Sequence, residues 1–280
     1  MTATVGMASA RHKLERARQH AEAFKAELDA YTNADPLCYT REWRPEDESE
    51  DEIACSFVMT KSDDAPESLP LITGDCLTNL RAALDHAVFE HARSTYSTFL
   101  HRPLTNDEER NLYFPLATKR SNLKNADVYL SPAVFEYVQT LHDFHMDWRS
   151  TDDTVRHLAL LRRFVNYDKH RAVVPVNVVD AHVSGKFDSQ YLRYLDERAE
   201  VRSGPLEVGT TFLTLWFEKV QPRGDLSPEN LISGFEIQFP LVFRVPGDAD
   251  SDPVDAGPTL HGMCDAVESV LARLDALGVQ

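Results

Sequence analysis

Two stretches set charged and imidazole side chains inside apolar helical patterns: LITGDCLTNLRAALDHAVFEHA, Leu71 to Ala92, and LLRRFVNYDKHRAVV, Leu160 to Val174. An unpaired charge buried in such a setting costs roughly several kcal/mol, so each must be paired or put to use. On a helix of about 3.6 residues per turn, Leu77, Leu80, Leu84 and Val88 share one stripe, and Arg81 lies about 40° from its centre. Arg81 therefore needs a carboxylate or a bound anion. Asp85, one turn on, and Asp168 of the second stretch are the two candidates. Asn79 and His86 leave the helix on a different side, because five residues of helix place Arg81 and His86 about 140° apart. A site holding both must be completed by another helix, and the DKHR element, Asp168, Lys169, His170 and Arg171, has the matching content. The interval Arg156 to Arg171 also carries Arg162 and Arg163, a composition suited to a local anion site.

The same residues support a purely structural reading. Arg81, Asp85, Asp168 and Arg171 can form a buried ion-pair network that locks two helices together, making this a non-enzymatic interaction protein. A third reading is a metal-dependent hydrolase using His142 and His145 of HDFH with Asp143 and the Asp85–His86 pair, since HxxH places two imidazoles on neighbouring helical positions. There is no HExxH, GxGxxG, Walker loop or GxSxG pattern, so no cofactor or metal is assigned.

The spacing of Arg81 and His86, and of Arg163 and His170, resembles the Arg-x(4–6)-His signature of HEPN-domain ribonucleases. That resemblance implies a helical module, often dimeric, that binds or cleaves RNA without a metal. In it arginine stabilises the scissile phosphate while histidine and its neighbours assist attack by a ribose 2′-hydroxyl. It implies catalytic roles for Arg81, Asp85, His86, Asp168 and His170. Contacts to RNA or another phosphate-bearing ligand would fall to Asn79, Arg163, Lys169 and Arg171. Ala82 follows Arg81 where HEPN nucleases often carry a polar residue. Over a longer span, the GDxxxNLRxALDH helix (Gly74, Asp75, Asn79, Leu80, Arg81, Ala83, Leu84, Asp85, His86) with the later NxDKHR element (Asn166, Asp168 to Arg171) is similar to a set of uncharacterised bacterial, especially actinobacterial, proteins. This second likeness implies a shared core and no particular reaction.

The 280 residues carry a formal charge of -16, which argues against broad adhesion to nucleic acid or anionic membrane. Much of the acidity lies in PEDESEDE, 45 to 52, and GDADSDPVD, 247 to 255, which read as solvated turns. No run is apolar enough to span a bilayer and no secretory pattern opens the chain, so a cytoplasmic location with no membrane partner is expected. Cys38, Cys55, Cys76 and Cys264 show no CxxC spacing and read as reduced thiols, with Cys38 and Cys55 able to face one another on a hairpin.

These residues need a scaffold. Ala10 to Tyr31 is a helix with an apolar stripe of Leu14, Ala17, Ala21, Phe24 and Leu28. LCYTREW and IACSFVM alternate as half-buried strands of a hairpin. A second helix starts near Ser68 or Pro70, capped by Ser, and runs to about Ser97. His101 to Leu130 reads as a long loop. SPAVFEYVQTLHDFH and TDDTVRHLALLRRFVNY begin further helices. Three β-branched and aromatic segments between Ala172 and Val245 are strands, with Phe235 to Val245 alternating throughout. The expected fold is α+β: a single domain, 1–280, in which a helical bundle-like layer packs on a mainly antiparallel sheet. Its helical part covers about 66–170, its mainly β part about 171–246 and its C-terminal helix about 256–278, with helices at both ends.

Overall fold

The computed structural model describes residues 6–117, 121, 123, 125–142, 147–170, 176–178, 182–185, 190–195, 198–202, 206–221, 227–228, 235–245 and 253–279. The fold is α+β. The helices are α1 (Met7–Asn33), α2 (Ser68–Leu100), α3 (Asn106–Arg110), α4 (Pro132–Thr140), α5 (Asp153–His170) and α6 (Ala256–Ala276). The strands are β1 (Leu37–Arg44), β2 (Glu52–Ser62), β3 (Val176–Val178), β4 (His182–Gly185), β5 (Leu192–Tyr194), β6 (Glu200–Val201), β7 (Thr211–Lys219), β8 (Phe235–Gln238), β9 (Leu241–Phe243) and β10 (Val254–Asp255). The chain divides into two compact units. One is Met1–Glu27, Glu67–Pro175 and Phe243–Gln280; the other is Leu28–Pro66 and Val176–Val242. Among the described residues no helix is long and apolar enough to cross a membrane.

In the helical unit the apolar stripe of α1 is buried at Ala10, Leu14, Ala17, Ala21 and Phe24. Side-chain contacts fix how its neighbours run. Ser9 meets His86, Lys13 meets Asn79, the Cys76 thiol meets the Ala17 carbonyl, and Ser68 meets Glu27, so α1 and α2 are antiparallel. Arg11 pairs with Asp275 and Arg18 with Glu268, so α1 and α6 are antiparallel as well. It follows that α2 and α6 run parallel. Phe243 packs between α1 and α5, its ring centroid 6.1 Å from Phe24 and 5.3 Å from Phe164.

The start of α2 departs from the expected cap. Glu67 occupies the N-cap position without a side-chain bond, and Ser68 lies one residue inside the helix, where its hydroxyl donates to Glu27 Oε1 at 2.8 Å. A contact with α1 has taken the hydroxyl that local capping would have used. The expected long loop contains a one-turn helix, α3, closed by a capping box in which Thr105 accepts from the Glu108 amide and Glu108 accepts from the Thr105 amide.

In the other unit β1, β2, β7 and β5 lie side by side in that order, all antiparallel, and β6 also pairs with β7. The β1–β2 hairpin crosses the acidic segment as expected, but its register sets Cys38 opposite Lys61 and Cys55 opposite Trp43. The two cysteines therefore do not face one another. Ile53, Ala54, Cys55, Ser56 and Phe57 are all buried, so β2 is covered on both faces rather than one, and its alternation reflects side-chain size. Phe57, Phe212, Tyr39 and Phe239 form an aromatic cluster in this core, with centroids 5.5 to 6.4 Å apart. The expected continuous strand from Phe235 to Val245 is two strands, β8 and β9, separated at Phe239 and Pro240. Proline has no amide hydrogen to give a ladder, which ends the pairing there.

Candidate functional site

Arg81 sits on the buried side of α2, with its side chain 16% exposed, and takes Asp85 as its partner. Its Nε donates to Asp85 Oδ2 at 3.0 Å, and an Nη lies 2.9 Å from Asp85 Oδ1. The pair is thus a two-pronged guanidinium–carboxylate bridge across one helical turn, the stronger geometry for such groups. The same Arg81 Nη donates to the carbonyl of Phe114 at 2.9 Å, while the amide of Phe114 donates to Asp85 Oδ1 at 3.0 Å. One residue of the long connection therefore has both backbone polar groups satisfied by the bridge. Phe114 itself is fully buried. The Arg81 guanidinium also lies 5.8 Å from the centre of the Tyr113 ring. The Tyr129 hydroxyl donates to the Tyr113 carbonyl at 3.5 Å, and burial pushes this phenol up to about 12.

Two histidines hold the same connection in a similar way. The Ala117 amide donates to Nε2 of His142 at 3.2 Å, and Nδ1 of that ring lies 2.6 Å from the Val138 carbonyl. With one nitrogen accepting an amide, the other must carry the proton, which fixes a neutral tautomer. The Ser131 amide donates to Nε2 of His91 at 3.3 Å, and burial lowers the His91 pKa. Asp85, His142 and His91 thus supply acceptors for amides at positions 114, 117 and 131. These are backbone groups that no ladder or helix pairs.

His86 points away from this clamp. Its Nδ1 shares a hydrogen bond of 2.8 Å with the Ser9 hydroxyl of α1. Asn79, two turns before it on the same stripe, accepts from Lys13 Nζ at 3.4 Å and donates to the Asp75 carbonyl. Asp168 reaches α2 at a third place: a Cβ on Gly74 would lie 3.2 Å from Asp168 Oδ1. The two sequence elements do meet, through glycine and aspartate rather than through Arg81. Arg81 and Asp85 are brought together, whereas His86 and Asp168 contact other neighbours.

Arg163 is half-buried on α5 beside Arg162. Burial, then the neighbouring Arg163 charge, lowers the Arg162 pKa. The backbone of Lys169 and His170 closes α5, but their side chains, with Arg171, Asp143 and His145, lie outside the described residues. Of the residues in the HDFH reading, His142, Asp85 and His86 are described: both ring nitrogens of His142 are engaged by backbone, Asp85 binds Arg81 and the Phe114 amide, and His86 meets Ser9. Among the described residues no three His, Cys, Asp or Glu side chains converge as metal ligands.

The sequence named Asp85 as one of two partners for Arg81 and left no sign of the pair's common target, because a backbone peptide 29 residues beyond Asp85 leaves no trace in side-chain spacing. Sequence reasoning missed His91, and with it the shared use of three side chains on one connection. No protein-family model, curated protein or solved structure matches this chain.

Proposed function

We propose that this chain is a non-enzymatic interaction protein in which the Arg81–Asp85 element is internal scaffolding. The observation that carries the reading is the engagement of the bridge: Asp85 uses both oxygens and Arg81 uses Nε and an Nη on one another and on the Phe114 peptide. A ribonuclease arginine must offer its guanidinium to a phosphate in the transition state, and here that would mean giving up bonds that hold the connection in place. A histidine acting with it would have to reach the same phosphate, and His86 is committed to Ser9 on another face of the helix.

The reading is tested with Arg81→Ala and with single-stranded RNA as substrate. Loss of charge-assisted bonds at a partly exposed site costs about 2 kcal/mol, which lowers the melting temperature by about 5 °C in a chain of this size. The expected result is that loss, with no RNA cleavage by either wild type or variant. RNA cleavage by the wild type that disappears in a normally stable Arg81→Ala protein would overturn the reading in favour of an HEPN-like nuclease.

A further inference from the structure

The hydroxyl of Ser9, in the first turn of α1, lies 2.8 Å from Nδ1 of His86 on α2. With the ring hydrogen on Nε2, the hydroxyl donates and the imidazole accepts, which is the geometry of a nucleophile against its base. Both side chains are partly exposed, and so is the seam that continues from them. Lys13, one turn along α1, holds its ammonium 3.4 Å from Asn79 Oδ1. On α2, Asn79, Ala82 and His86 follow one another at spacings of three and four, so the smallest side chain of that row stands between the amide and the imidazole. Ser9 is also the third residue of a 27-residue helix, whose first amides have no partner within it. A hydroxyl, an imidazole and an ammonium thus form one polar row beside the buried Ala10, Leu14 and Ala17 of α1.

We propose that Ser9 is an acyl-acceptor site, with His86 as its general base and activated esters of carboxylic acids as the acyl donors. Ser9 Oγ attacks the carbonyl carbon of the ester while its proton passes to His86 Nδ1, and a tetrahedral intermediate forms. The negative charge on its oxygen develops beside the first turn of α1, where the positive end of the helix and the Lys13 ammonium favour it. The intermediate then collapses: the bond from carbon to the leaving oxygen breaks, and that oxygen takes the proton from His86. The products are a Ser9 ester and a free alcohol or phenol, with His86 neutral again. Among the described residues no carboxylate is hydrogen-bonded to His86, so the imidazolium lacks the stabilising third group of a full triad. Such a pair expels a good leaving group such as a phenolate. It does not readily expel the Ser9 alkoxide, so the Ser9 ester accumulates at one per chain. The site is a stoichiometric acceptor rather than an enzyme, and it goes beyond the scaffolding role of Arg81 and Asp85 without contradicting it.

The test treats the full 280-residue chain, folded, with p-nitrophenyl acetate near neutral pH, and locates each acetyl group by digestion and mass spectrometry over time. The expected product carries one acetyl at Ser9, which hydroxylamine removes as it removes an ester. An acetyl on Lys13 is an amide, resists hydroxylamine and is read separately. Ser49 is the internal comparison: it is exposed, and its hydroxyl meets the Glu52 amide instead of an imidazole. Ser9 is expected to acetylate well ahead of it. In His86→Gln, which keeps a polar partner for the hydroxyl, the rate at Ser9 falls about 100-fold. Acetylation of Ser9 no faster than that of Ser49 would overturn the proposal. So would an unchanged Ser9 rate in a folded His86→Gln chain. Because the comparison of the two serines is made on the wild-type protein, the outcome does not depend on a variant folding, and neither result alters the RNA-cleavage test of the scaffolding role.

Discussion

The imidazole of His157 occupies the space that a Cβ would need at Gly262. An ideal Cβ there would lie 2.2 Å from His157 Nε2 and 2.5 Å from Cε1, so α5 and α6 cross at a contact that admits glycine alone while the ring stays in place. The ring is tethered: His157 Nδ1 lies 2.7 Å from the carbonyl of Asp153, one turn earlier on α5.

Gly262→Ala sets two effects against each other. Alanine in the middle of a helix gains about 1 kcal/mol over glycine. Overpacking against the tethered ring costs about 2–3 kcal/mol, so a net loss of about 1–2 kcal/mol is expected in urea denaturation. The double variant Gly262→Ala/His157→Ala should recover most of that loss. Wild-type stability for Gly262→Ala alone would show that the ring does not hold its position.

His91 makes stability depend on pH in a defined direction. Burial holds its pKa below the ordinary histidine value of 6.5, and its neutral Nε2 accepts the Ser131 amide. The contribution is fully present above about pH 6.5, where folded and unfolded chains are both neutral at this group. As pH falls below that value the unfolded chain takes up the proton first, and stability declines toward the folded-state pKa. Melting temperatures of wild type and His91→Gln, measured from pH 7.5 to 5, should diverge in slope below 6.5, with wild type falling faster. Parallel curves would remove His91 as the source.

Glu108 gives a second titration to measure. The Arg102 guanidinium, then the Thr105 amide, holds its carboxyl down at about 2. A carboxylate depressed in the folded state stabilises the fold above the ordinary carboxylate range and loses that contribution as pH falls through about 2. In an NMR titration the Glu108 side chain should titrate near that value, and Arg102→Gln should move it upward toward the ordinary one. An ordinary value in the wild type would mean that the capping box and its arginine do not persist in solution.

Much of this framework is legible in the chain. The need for a carboxylate beside Arg81 followed from the cost of leaving it unpaired on the stripe of Leu77, Leu80, Leu84 and Val88, and of the two candidates, Asp85 and Asp168, the structure pairs it with Asp85. The separation of Arg81 from His86 followed from helix pitch, and their different partners, Phe114 and Ser9, agree with it. Gly74 and Asp168 were both marked within the two elements, and their contact is where those elements meet. The strands were harder: the alternation from Phe235 to Val245 concealed a break at Phe239 and Pro240.

The sequence by itself determined periodicity, charge and local pairing, because those depend on residues a few positions apart on one helix or strand. Tertiary structure alone decided what each polar group answers to. Ser68 turned from a cap to a bond with Glu27, and Asp85 and His142 became acceptors for the amides of Phe114 and Ala117. The physical reason is common to all: a buried donor or acceptor must be satisfied by whatever packing brings within about 3 Å, and that neighbour is set by helix crossing rather than by sequence distance.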